Sequence, residues 1–580
     1  MSGAQRIFDN QKLLNKINVF PVSDADTGTN LASTMRSIMD AIIPTDNFKQ
    51  AAGAIADAAL TGARGNSGII FAQFLYGFSN EIKTEETIDI RSFAVSMKNA
   101  VDYAYDAIAN PLEGTILTVI KDWANYMYAL KDIIDDFIKL LVDAYEIAQQ
   151  SLTETTKKLE VLARSHVVDA GAKGFVVFLE GFLDFFTKGG NHPAADGADL
   201  ILEEADTSAV AHDVITFRYC TEAMLTGANL NKAKIRDAVK NSGDSLVIAG
   251  SASKLRIHIH TDYPAELFSG LQKFGTITYQ KVDDMVMQNE INYNRKADIA
   301  LLTDSTCDLP KELIDRYQIH VVPLSIHFGD RYFLDRLTIQ PTQFYSFMEK
   351  FEELPTSAQP AYKDFQNKYE YLSTHYDSVI GMNLTQAMSG TYFNSNKAAS
   401  DVGLRAGKNF NVFDSKNITG GLGLIVLRIA RAIEEGVSHE VILSKINDWI
   451  GKSNLRVNLT TLKYIVRSGR VSPFKSFVAR ALDLKPIIKI GKTGHADTFG
   501  KVFSEKAGMK KIIRNIEKIA AKNKIWEYAI THANNQSTAD WFMVEMERIT
   551  GKKPVFVEQA SASLVANVGP GVVAVAFMLE

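Results

Sequence analysis

The sequence predicts a multidomain protein with an all-α N-terminal domain, an α+β middle domain and an α/β C-terminal half. Three observations predict this class. The 580 residues leave room for about three to five domains. Apolar side chains recur at helical spacing through residues 1–186, whereas short apolar strands alternate with helical stretches from Asp298 onward. The residues between these regions mix strand-like and helical segments.

The composition is ordinary for globular domains and argues against several classes of protein. Hydrophobic residues make up 46% and charged residues 22%, which is too apolar for a disordered chain. A formal net charge of −4 argues against a nucleic-acid protein that relies on a basic surface. Two cysteines cannot staple a secreted scaffold, and the first residues contain no apolar run. We therefore expect a cytoplasmic protein without a membrane span.

Residues 1–190 are predicted to form the helical domain. Ala51–Ala59 is rich in alanine, and Ser92–Ala109 and Ile133–Gln150 place apolar residues every three or four positions. Residues 191–213 contain glycines, a proline and a run of acidic residues, so we expect a linker there.

Residues 214–292 are predicted to form the middle domain. Asp213–Tyr219 and Lys254–Thr261 alternate apolar and polar residues as strands do, and Lys232–Asn241 is typical of a helix.

Residues 297–580 are predicted to form the C-terminal half. Ile299–Leu302 and Ile319–Ile326 are expected to be strands of an α/β pattern. The stretch Ala560–Leu579 is uncharged, but a Gly-Pro-Gly break divides it. We therefore expect a strand, a loop and a strand there instead of a membrane helix.

The segment Asn18–Asn30, with the sequence NVFPVSDADTGTN, carries the first candidate site. In an extended segment, the side chains of Asp24 and Asp26 point the same way. With no lysine beside them, they are the oxygen ligands that Mg²⁺ prefers. The residues that follow, which can offer N–H and hydroxyl groups to an anion at the start of a helix, are Thr27, Gly28, Thr29 and Asn30. An Asx-type turn that caps this helix is the alternative interpretation.

Three further glycine-marked segments lie between the predicted helices. They are GARGNSG at 62–68, EGT at 113–115 and DAGAKG at 169–174. Each alone is compatible with an ordinary helix C-cap. Together with the first segment they place four loops at helix ends in one domain, which a helical barrel closing on a nucleotide would need.

The four segments closely resemble the ATP-binding L domain of dihydroxyacetone kinases, above all the version in bacterial fatty acid kinases. The resemblance implies an all-α helical barrel (DhaL-like, or DAK2) that binds ATP through two Mg²⁺ ions. Asp24 and Asp26 would be metal ligands with a catalytic role, and Asn18 a further ligand. The nucleotide site that it implies comprises Thr27, Gly28, Thr29, Asn30, Asn66, Ser67, Gly68, Thr115, Asp169 and Gly171.

The sequence departs from this pattern at two positions. Ser23 and Ala25 stand where the family has Pro and Gly. Both side chains are small, so we expect the carboxylate geometry to survive. The Cβ of Ala25 matters if the backbone there takes a positive φ.

The middle domain carries a second candidate site. His258 and His260 are two residues apart, so both imidazoles face one way on a strand. Together with Cys220 they form a set of one cysteine and two histidines, which are ligands that Zn²⁺ prefers. The spacing matches no zinc finger, and a buried cysteine with two strand histidines is the alternative. The segment is similar to the middle domain of fatty acid kinases, where YCTE and HxHT motifs belong together. That resemblance implies a zinc site at Cys220, His258 and His260.

The C-terminal half contains turns marked by hydroxyl groups or arginine, and each alone can be a cap or a turn. The half resembles the DegV family of fatty-acid-binding proteins from its TDST-DLP opening to its GPGVVAVAF close. That resemblance implies two α/β lobes with an acyl chain between them and a carboxylate held by hydroxyls and an arginine. The lipid-binding residues that it implies are Thr356, Ser357, Thr385, Ser389, Thr391, Arg470 and Asn567.

This half also departs from its family. Asn567 replaces a histidine, and an amide can donate a hydrogen bond but cannot carry a positive charge. The hydroxyl-bearing loops differ as well. The ligand could therefore be an unusual fatty acid or another lipid-like anion.

The three resemblances combine into one functional expectation. A fatty acid kinase would phosphorylate the carboxylate of a bound fatty acid with Mg-ATP, giving an acyl phosphate and ADP, with Arg470 orienting the carboxylate. Kinase and lipid carrier would be fused in one chain, which would raise the carrier's effective concentration to about millimolar. An acyl phosphate suits phospholipid synthesis through a downstream acyltransferase. We also expect a homodimer with at most transient membrane contact and no nucleic-acid partner.

Two other functions stay open at this point. A glycerone-type kinase acting on a small hydroxy-ketone is the first, although we see no separate substrate domain for it. A lipid-binding or regulatory protein with an inactive kinase half is the second. Asp24 and Asp26 argue against it, whereas Asn567 argues for it.

Overall fold

A computed structural model of the protein describes residues 1–20, 25–83, 86–189, 215–469 and 485–580. The chain forms two compact units, Met1–Asn289 and Glu290–Glu580. The predicted fold class is confirmed, because a helical N-terminal region is followed by sheet-containing α/β structure in the C-terminal half.

The N-terminal region of the first unit is helical throughout its described residues. Its helices are α1 (Ser2–Asp9), α2 (Gln11–Lys16), α3 (Thr27–Ala41), α4 (Phe48–Gly62), α5 (Gly65–Glu81), α6 (Ile90–Ala107), α7 (Ile116–Leu130), α8 (Phe137–Lys158), α9 (Glu160–Arg164) and α10 (Ala170–Lys188). Several begin at an acidic N-cap. Asp89, Asp136 and Asp169 accept hydrogen bonds from backbone N–H groups in the first turns of α6, α8 and α10.

Aromatic side chains hold these helices together. The rings of Phe74, Trp123 and Phe175 meet edge to face, with centroids 5.6 to 6.4 Å apart. Around this cluster the helices enclose an apolar cavity of about 1270 Å³, whose walls include Met35 and Phe78. Apolar side chains from several helices therefore line one common space.

The rest of the first unit is an antiparallel sheet with helices. Its elements are β1 (Tyr219–Thr226), α11 (Lys232–Val239), β2 (Asp244–Gly250), β3 (Lys254–Thr261), α12 (Pro264–Leu271), β4 (Thr276–Asp284) and the first residues of α13 (Met285–Tyr293), in which the boundary of the unit falls. The strand order is β2-β3-β1-β4. The first strand predicted here, Asp213–Tyr219, was wrong in its bounds, since the observed strand begins at Tyr219. Residues 213 and 214 lie outside the described part of the chain.

The two faces of this sheet have different neighbours. Ala223, Ile257 and other apolar side chains face a core shared with α11 and α12. On the opposite face, Val247 and Ala249 join the core of the helical region. The Gly250 N–H donates to Gln73 Oε1 of α5 at 2.7 Å. The sheet is therefore packed directly against the helices that carry the predicted nucleotide loops.

The second unit contains three sheets. Its elements are β5 (Ile299–Asp304), α14 (Lys311–Arg316), β6 (His320–Val322), β7 (Ser325–Phe328), β8 (Arg331–Leu334), α15 (Pro341–Lys350), β9 (Thr356–Ala358), α16 (Tyr362–His375), β10 (Ser378–Asn383), α17 (Thr391–Ala406), β11 (Asn409–Asp414), α18 (Thr419–Glu434), α19 (His439–Lys452), β12 (Ser453–Asn458), α20 (Lys463–Ser468), β13 (Lys485–Ile490), β14 (Ala496–Val502), α21 (Glu505–Ala520), β15 (Ile525–His532), α22 (Gln536–Thr550), β16 (Phe556–Gln559), α23 (Ala562–Val568) and β17 (Val573–Leu579).

The strand orders of these sheets are β11-β10-β5-β6, β14-β13-β12-β17-β15-β16 and β8-β7-β9. The first is parallel, as expected of alternating strands and helices. The single strand predicted over Ile319–Ile326 was wrong. Pro323 separates β6 from β7, and the two strands belong to different sheets because proline cannot donate to a ladder.

The prediction of a strand at the start of Ala560–Leu579 was also wrong, since that segment contains helix α23 before strand β17. Two buried carboxylates explain the helix. Asp308 Oδ1 accepts from the Ser561 N–H at 2.9 Å, and Asp335 Oδ1 accepts from the Ala562 N–H at 3.1 Å. Both acids come from distant parts of the sequence and satisfy N–H groups where the helix begins.

Among the described helices, none combines the length and the apolar character that crossing a membrane requires.

Candidate functional site

The register of the middle-domain sheet places a row of polar side chains on its helix-facing side. On the central strand β1, Cys220 pairs with His260 and Glu222 pairs with His258 of β3. On its other edge, Glu222 pairs with Lys281 of β4. Because alternate residues of a strand share a face, these side chains gather on one surface.

The cysteine and the two histidines form a compact, buried cluster. His258 Nε2 lies 3.2 Å from His260 Nε2, and Cys220 Sγ lies 3.8 Å from His258 Nδ1. One ligand atom from each residue can be chosen so that all three lie within 4.8 Å of one another. Among the described residues, this cluster meets the requirement of at least three His, Cys, Asp or Glu side chains that could hold a metal ion.

A carboxylate stands behind each imidazole of the cluster. His260 Nδ1 lies 3.2 Å from Asp244 Oδ1, and His258 Nδ1 lies 3.8 Å from Glu222 Oε1. A ligating histidine usually turns its second nitrogen toward such a group, which fixes the ring. The two Nε2 atoms are therefore the ones directed at a common point.

The cluster fits a zinc ion. Zn–N bonds of about 2.0 Å place two tetrahedral nitrogen ligands roughly 3.3 Å apart, close to the 3.2 Å between the two Nε2 atoms, and the ligand atoms of all three residues lie within 4.8 Å of one another. Burial raises the pKa of the Cys220 thiol well above its ordinary value, so binding a metal would release a proton. Burial also lowers the pKa of His258 to about 4, which keeps this imidazole neutral and able to bind a metal.

The cluster does not stand alone, because it lines the same pocket as several residues of the helical region. The predicted site residues around this pocket are Asn18, Asp26, Thr27, Asn30, Asn66, Ser67, Cys220, His258 and His260. Phe20 and Gly65 complete the wall. The structure thus brings together in one pocket two sites that the sequence analysis predicted separately.

The first glycine-marked loop supplies one wall of this pocket. Helix α3 begins at Thr27, so that Thr27 and Asn30 lie in its first turn. The Thr27 hydroxyl donates to Asn18 Oδ1, which ties the helix to the segment before it. Asp26, at the N-cap of α3, therefore stands at the positive end of the helix dipole, where an anion is also favoured.

The second glycine-marked loop supplies another wall. Asn66 Oδ1 is shielded from solvent and accepts no hydrogen bond from the described residues. A buried amide oxygen without a donor is a suitable ligand for a hydrated cation or for a nucleotide N–H. A Cβ on Gly171 would overlap the Ser67 hydroxyl, so the fourth loop presses against the second.

Other predicted nucleotide residues lie outside the pocket and have structural partners. Thr29 Oγ1 accepts from Gln11 and Asn15 of α2, and a Cβ on Gly28 would overlap the same helix. Thr115 donates to the Leu112 carbonyl at the start of α7.

Gly68 and Asp169 also lie outside the pocket lining. A Cβ on Gly68 would approach Thr34 Oγ1 within 3.0 Å. Asp169 caps α10, and burial raises the pKa of its carboxyl to about 6. These positions shape the loops around the pocket.

The backbone at Ala25, where the family has glycine, takes a positive φ. Its φ is 55°, in the left-handed region that L-residues other than Gly seldom adopt. The departure at Ala25 therefore introduces backbone strain next to Asp26. Ser23 and Asp24 lie outside the described residues.

Charged residues that the sequence did not predict lie behind the pocket. Glu222 and Arg256 form a fully buried ion pair, and the Arg256 guanidinium lies 4.2 Å from the centre of the Tyr279 ring. Burial alone would raise the pKa of Glu222, but Lys281 and Arg256 outweigh it and hold that pKa well below its ordinary value. The period-two pattern Arg256, His258, His260 was a signal that could have located them.

In the second unit, apolar side chains enclose a cavity of about 70 Å³ between β12, β13, α20 and α23, with Asn567 at its wall. Asn567 Nδ2 donates to Ser357 Oγ at 2.9 Å and to the Ser563 carbonyl at 2.7 Å. Thr356 precedes Ser357 on the same strand. Of the predicted lipid residues, Asn567 and Ser357 are thus brought together beside an apolar space.

The remaining lipid residues lie near this cavity in sequence. Ser389 and Thr391 share a hydrogen bond of 2.8 Å between their hydroxyls, and Thr385 is buried and accepts from the Ala387 N–H at 3.3 Å. Leu384 and Met388, which flank Thr385 and Ser389, line the cavity itself. Arg470 lies outside the described residues.

Cys307, the second cysteine, is buried in the turn after β5. Burial first, and then Asp304 and Asp308, raise the pKa of its thiol to about 12. A raised pKa disfavours the thiolate, which is the reactive form of cysteine, at neutral pH.

Comparison with protein families assigns three successive segments of the chain. Residues 21–184 match the DAK2 domain. Residues 216–292 match the FakA-like middle domain, a family named after fatty acid kinase. Residues 298–580 match the DegV family, described as uncharacterised protein.

Curated relatives match part of the chain. An uncharacterised protein of Staphylococcus saprophyticus is 36% identical over 301 residues, which cover 50% of this chain and 54% of the relative. The protein YloV of Bacillus subtilis is 34% identical over 303 residues, with the same coverage of both chains. The chain thus spans about half the length of the curated relatives it matches.

Two solved structures match the other half. A DegV family protein from Thermus thermophilus, described by its fatty acid binding, is 26% identical in sequence to this chain. The match covers 49% of this chain and 99% of that chain, with a TM-score of 0.45. DegV from Bacillus subtilis, described as a fatty acid binding protein, is also 26% identical. That match covers 49% of this chain and 100% of that chain, with a TM-score of 0.45. One chain therefore carries a DAK2 domain, a FakA-like middle domain and a DegV-family domain.

Proposed function

We propose that this protein transfers the γ-phosphoryl group of Mg-ATP to the carboxylate of a fatty acid, giving an acyl phosphate and ADP. The single observation that carries this proposal is the shared pocket. Asp26, Asn30 and Asn66 of the DAK2 domain face Cys220 and His258 of the middle domain across it. A kinase-like nucleotide site and a second polar cluster then act on one reaction centre.

The chain's own residues have distinct tasks in this proposal. Asp24 and Asp26, with Asn18, would hold the metal ions. When bound, Mg²⁺ neutralises charge on the phosphates. Asn66 and Ser67 would orient the nucleotide from the second loop. This division resembles other phosphoryl transfers, in which positioning and charge neutralisation supply most of the catalysis.

The acceptor carboxylate needs no general base. It is ionised near pH 7 and can attack the γ-phosphorus directly. A carboxylate oxygen forms the new bond to phosphorus while the bond to the β–γ bridging oxygen breaks, and ADP leaves with that electron pair. The chain must therefore hold two anions together, for which Arg470 would orient the carboxylate.

The middle-domain cluster is assigned to zinc. Cys220, His258 and His260 would be its three protein ligands, with Asp244 and Glu222 orienting the imidazoles. Three protein ligands leave a fourth position for water or substrate, which is typical of zinc sites that take part in chemistry.

The DegV-family half is assigned to the lipid. Its small cavity is almost wholly apolar apart from Asn567 and Ser468, which suits methylene groups better than a sugar or a nucleotide. Each methylene group buried there would contribute about 0.8 kcal/mol. Fusing carrier and kinase would replace diffusion of the lipid carrier by a tethered encounter.

One assay tests the proposed reaction. The full chain is incubated with Mg-ATP and oleate, acyl phosphate is trapped with hydroxylamine, and ADP is counted. We expect equal amounts of trapped hydroxamate and lipid-dependent ADP. Parallel incubation with dihydroxyacetone distinguishes a glycerone-type kinase, which would form ADP with that acceptor alone. Folded protein that binds oleate but releases no lipid-dependent ADP would overturn the proposal in favour of a regulatory lipid-binding protein.

A further inference from the structure

The carboxylate of Glu222 contacts both halves of the shared pocket. Its Oε1 accepts a hydrogen bond from the Gly65 N–H of the DAK2 domain at 2.7 Å. The same oxygen lies 3.8 Å from His258 Nδ1. The second oxygen pairs with Arg256, and the Glu222 side chain is fully buried. Glu222 itself does not line the pocket.

Gly65 is held from two sides. Its φ is +60°, and a Cβ there would overlap the Asn30 side-chain amide. Gly65 begins helix α5, and the side chain of its N-cap residue Arg64 makes no cap hydrogen bond. Glu222, from a strand 157 positions along the chain, supplies that acceptor instead.

This arrangement determines where the next residues point. With the Gly65 N–H engaged by Glu222, Asn66 and Ser67 follow directly and face the pocket. Asn66 Oδ1 stays without a donor among the described residues. The charge of Glu222 is balanced by its ion pair with Arg256, so its carboxylate is retained as an acceptor at this helix end.

We propose that Glu222 is a positioning residue of the kinase site, which fixes the loop of Asn66 and Ser67 relative to the His258 imidazole. The inference rests on the proposed function, since it assumes that this loop binds the nucleotide. Glu222 would act through the Gly65 backbone and through His258, without touching the substrate. Its loss should therefore weaken nucleotide binding even where the protein stays folded.

The test measures the dissociation constant of Mg-ADP by calorimetry on the full chain. We expect Glu222→Leu to weaken binding about 10-fold or more, since a hydrogen bond to a charged acceptor is lost. Glu222→Gln keeps an acceptor oxygen for Gly65 and should fall between Glu222→Leu and wild type. Wild-type affinity in Glu222→Leu would overturn the proposal, and so would a wild type that binds no Mg-ADP.

Gln73→Leu is the matched control. Gln73 is buried and accepts from a backbone N–H of the middle domain at the same distance of 2.7 Å, but it lies outside the pocket. The Gln73→Leu protein should lose stability, as the Glu222→Leu protein does, but should keep its affinity for Mg-ADP. Equal weakening in both variants would mean that general packing of the two domains, and not the Gly65 contact, sets the affinity.

A double variant separates charge burial from positioning. Glu222→Leu leaves Arg256 unpaired in the interior, which can prevent folding by itself. Adding Arg256→Met removes that charge and should restore the melting temperature, while Mg-ADP affinity stays about 10-fold weakened because Gly65 still has no acceptor. Recovery of both the melting temperature and the Mg-ADP affinity in the double variant would overturn the proposal. Nucleotide binding needs no lipid, so a wild type that binds Mg-ADP but forms no acyl phosphate would overturn the proposed function alone.

Discussion

The Asn567 side-chain amide donates a hydrogen bond to the Ser357 hydroxyl at 2.9 Å, joining helix α23 to strand β9 beside the apolar cavity. Both groups are uncharged. A fatty acid carboxylate placed here would be met by neutral donors, unless Arg470 reaches it. The consequences of this relationship can be measured directly.

Asn567→His should make oleate binding dependent on pH. A histidine that gains a carboxylate partner has a raised pKa in the complex, so its contribution is present at low pH and is lost as pH rises through that pKa. We expect about 10-fold tighter binding at pH 5.5 than at pH 8.5 in excess of any change in wild type. Fluorescence titration at both pH values would measure it. Identical pH profiles for the two proteins would place the carboxylate elsewhere.

Asp26→Ala should abolish turnover and leave lipid binding intact. The variant removes a proposed ligand of the metal. Because charge neutralisation by a metal stabilises the transition state by several kcal/mol, we expect the turnover rate to fall at least about 10³-fold. Asp40→Ala, at an exposed acid near the end of the same helix, is the control and should keep its activity. Full activity in Asp26→Ala would exclude the proposed role.

Cys220→Ala should remove zinc from the protein. Elemental analysis of wild type should give about one zinc per chain, because a buried set of three ligands binds zinc tightly. The variant should give almost none. Cys307→Ala is a matched control, since Cys307 is equally buried but belongs to the other unit. Equal zinc in Cys220→Ala and wild type would remove the proposed site.

Ala25→Gly should stabilise the first unit. A left-handed conformation costs an L-residue about 1–2 kcal/mol, and part of the gain is offset by the freedom of glycine in the unfolded chain, which leaves about 0.5–1 kcal/mol. Urea unfolding of the first unit would measure the difference. Ala63→Gly, at a residue with φ of −58°, should instead destabilise. A loss of stability in Ala25→Gly would contradict the strain assigned to this position.

Asp169→Asn should stabilise the protein above about pH 6. Burial raises the pKa of Asp169 to about 6 from 3.8, so the folded state favours the protonated acid and loses stability as pH rises through this range. Asparagine keeps an oxygen for the Ala172 N–H without the charge. We expect no difference below about pH 4 and about 1–3 kcal/mol at pH 7.5 in the free energy of unfolding. A constant difference at all pH values would mean that Asp169 is not perturbed.

Much of the fold and several site residues could be predicted from local patterns. Helical spacing identified the N-terminal domain, and the two-residue spacing of His258 and His260 placed both imidazoles on one face of a strand. These features depend on neighbours in sequence, which periodicity reports directly.

The rest depends on partners that are distant in sequence. Glu222 acquires its role because the register of β1 against β3 and β4 brings it beside His258 and Lys281. Helix α23 forms where a strand was expected because Asp308 and Asp335 satisfy its first N–H groups. Neither register nor a distant cap leaves a signal in the local sequence.

The alternation along the central strand of the middle domain has a consequence for how this protein can vary. Cys220 and Glu222 lie on the helix-facing side of the strand, whereas Ala223 and Leu225 further along face the apolar core. Inserting or deleting one residue in this strand would exchange the two sets, burying the Cys220 thiol in the apolar core and turning a leucine toward the shared pocket. The shared pocket thus depends on the parity of β1 as well as on the identity of the residues along it.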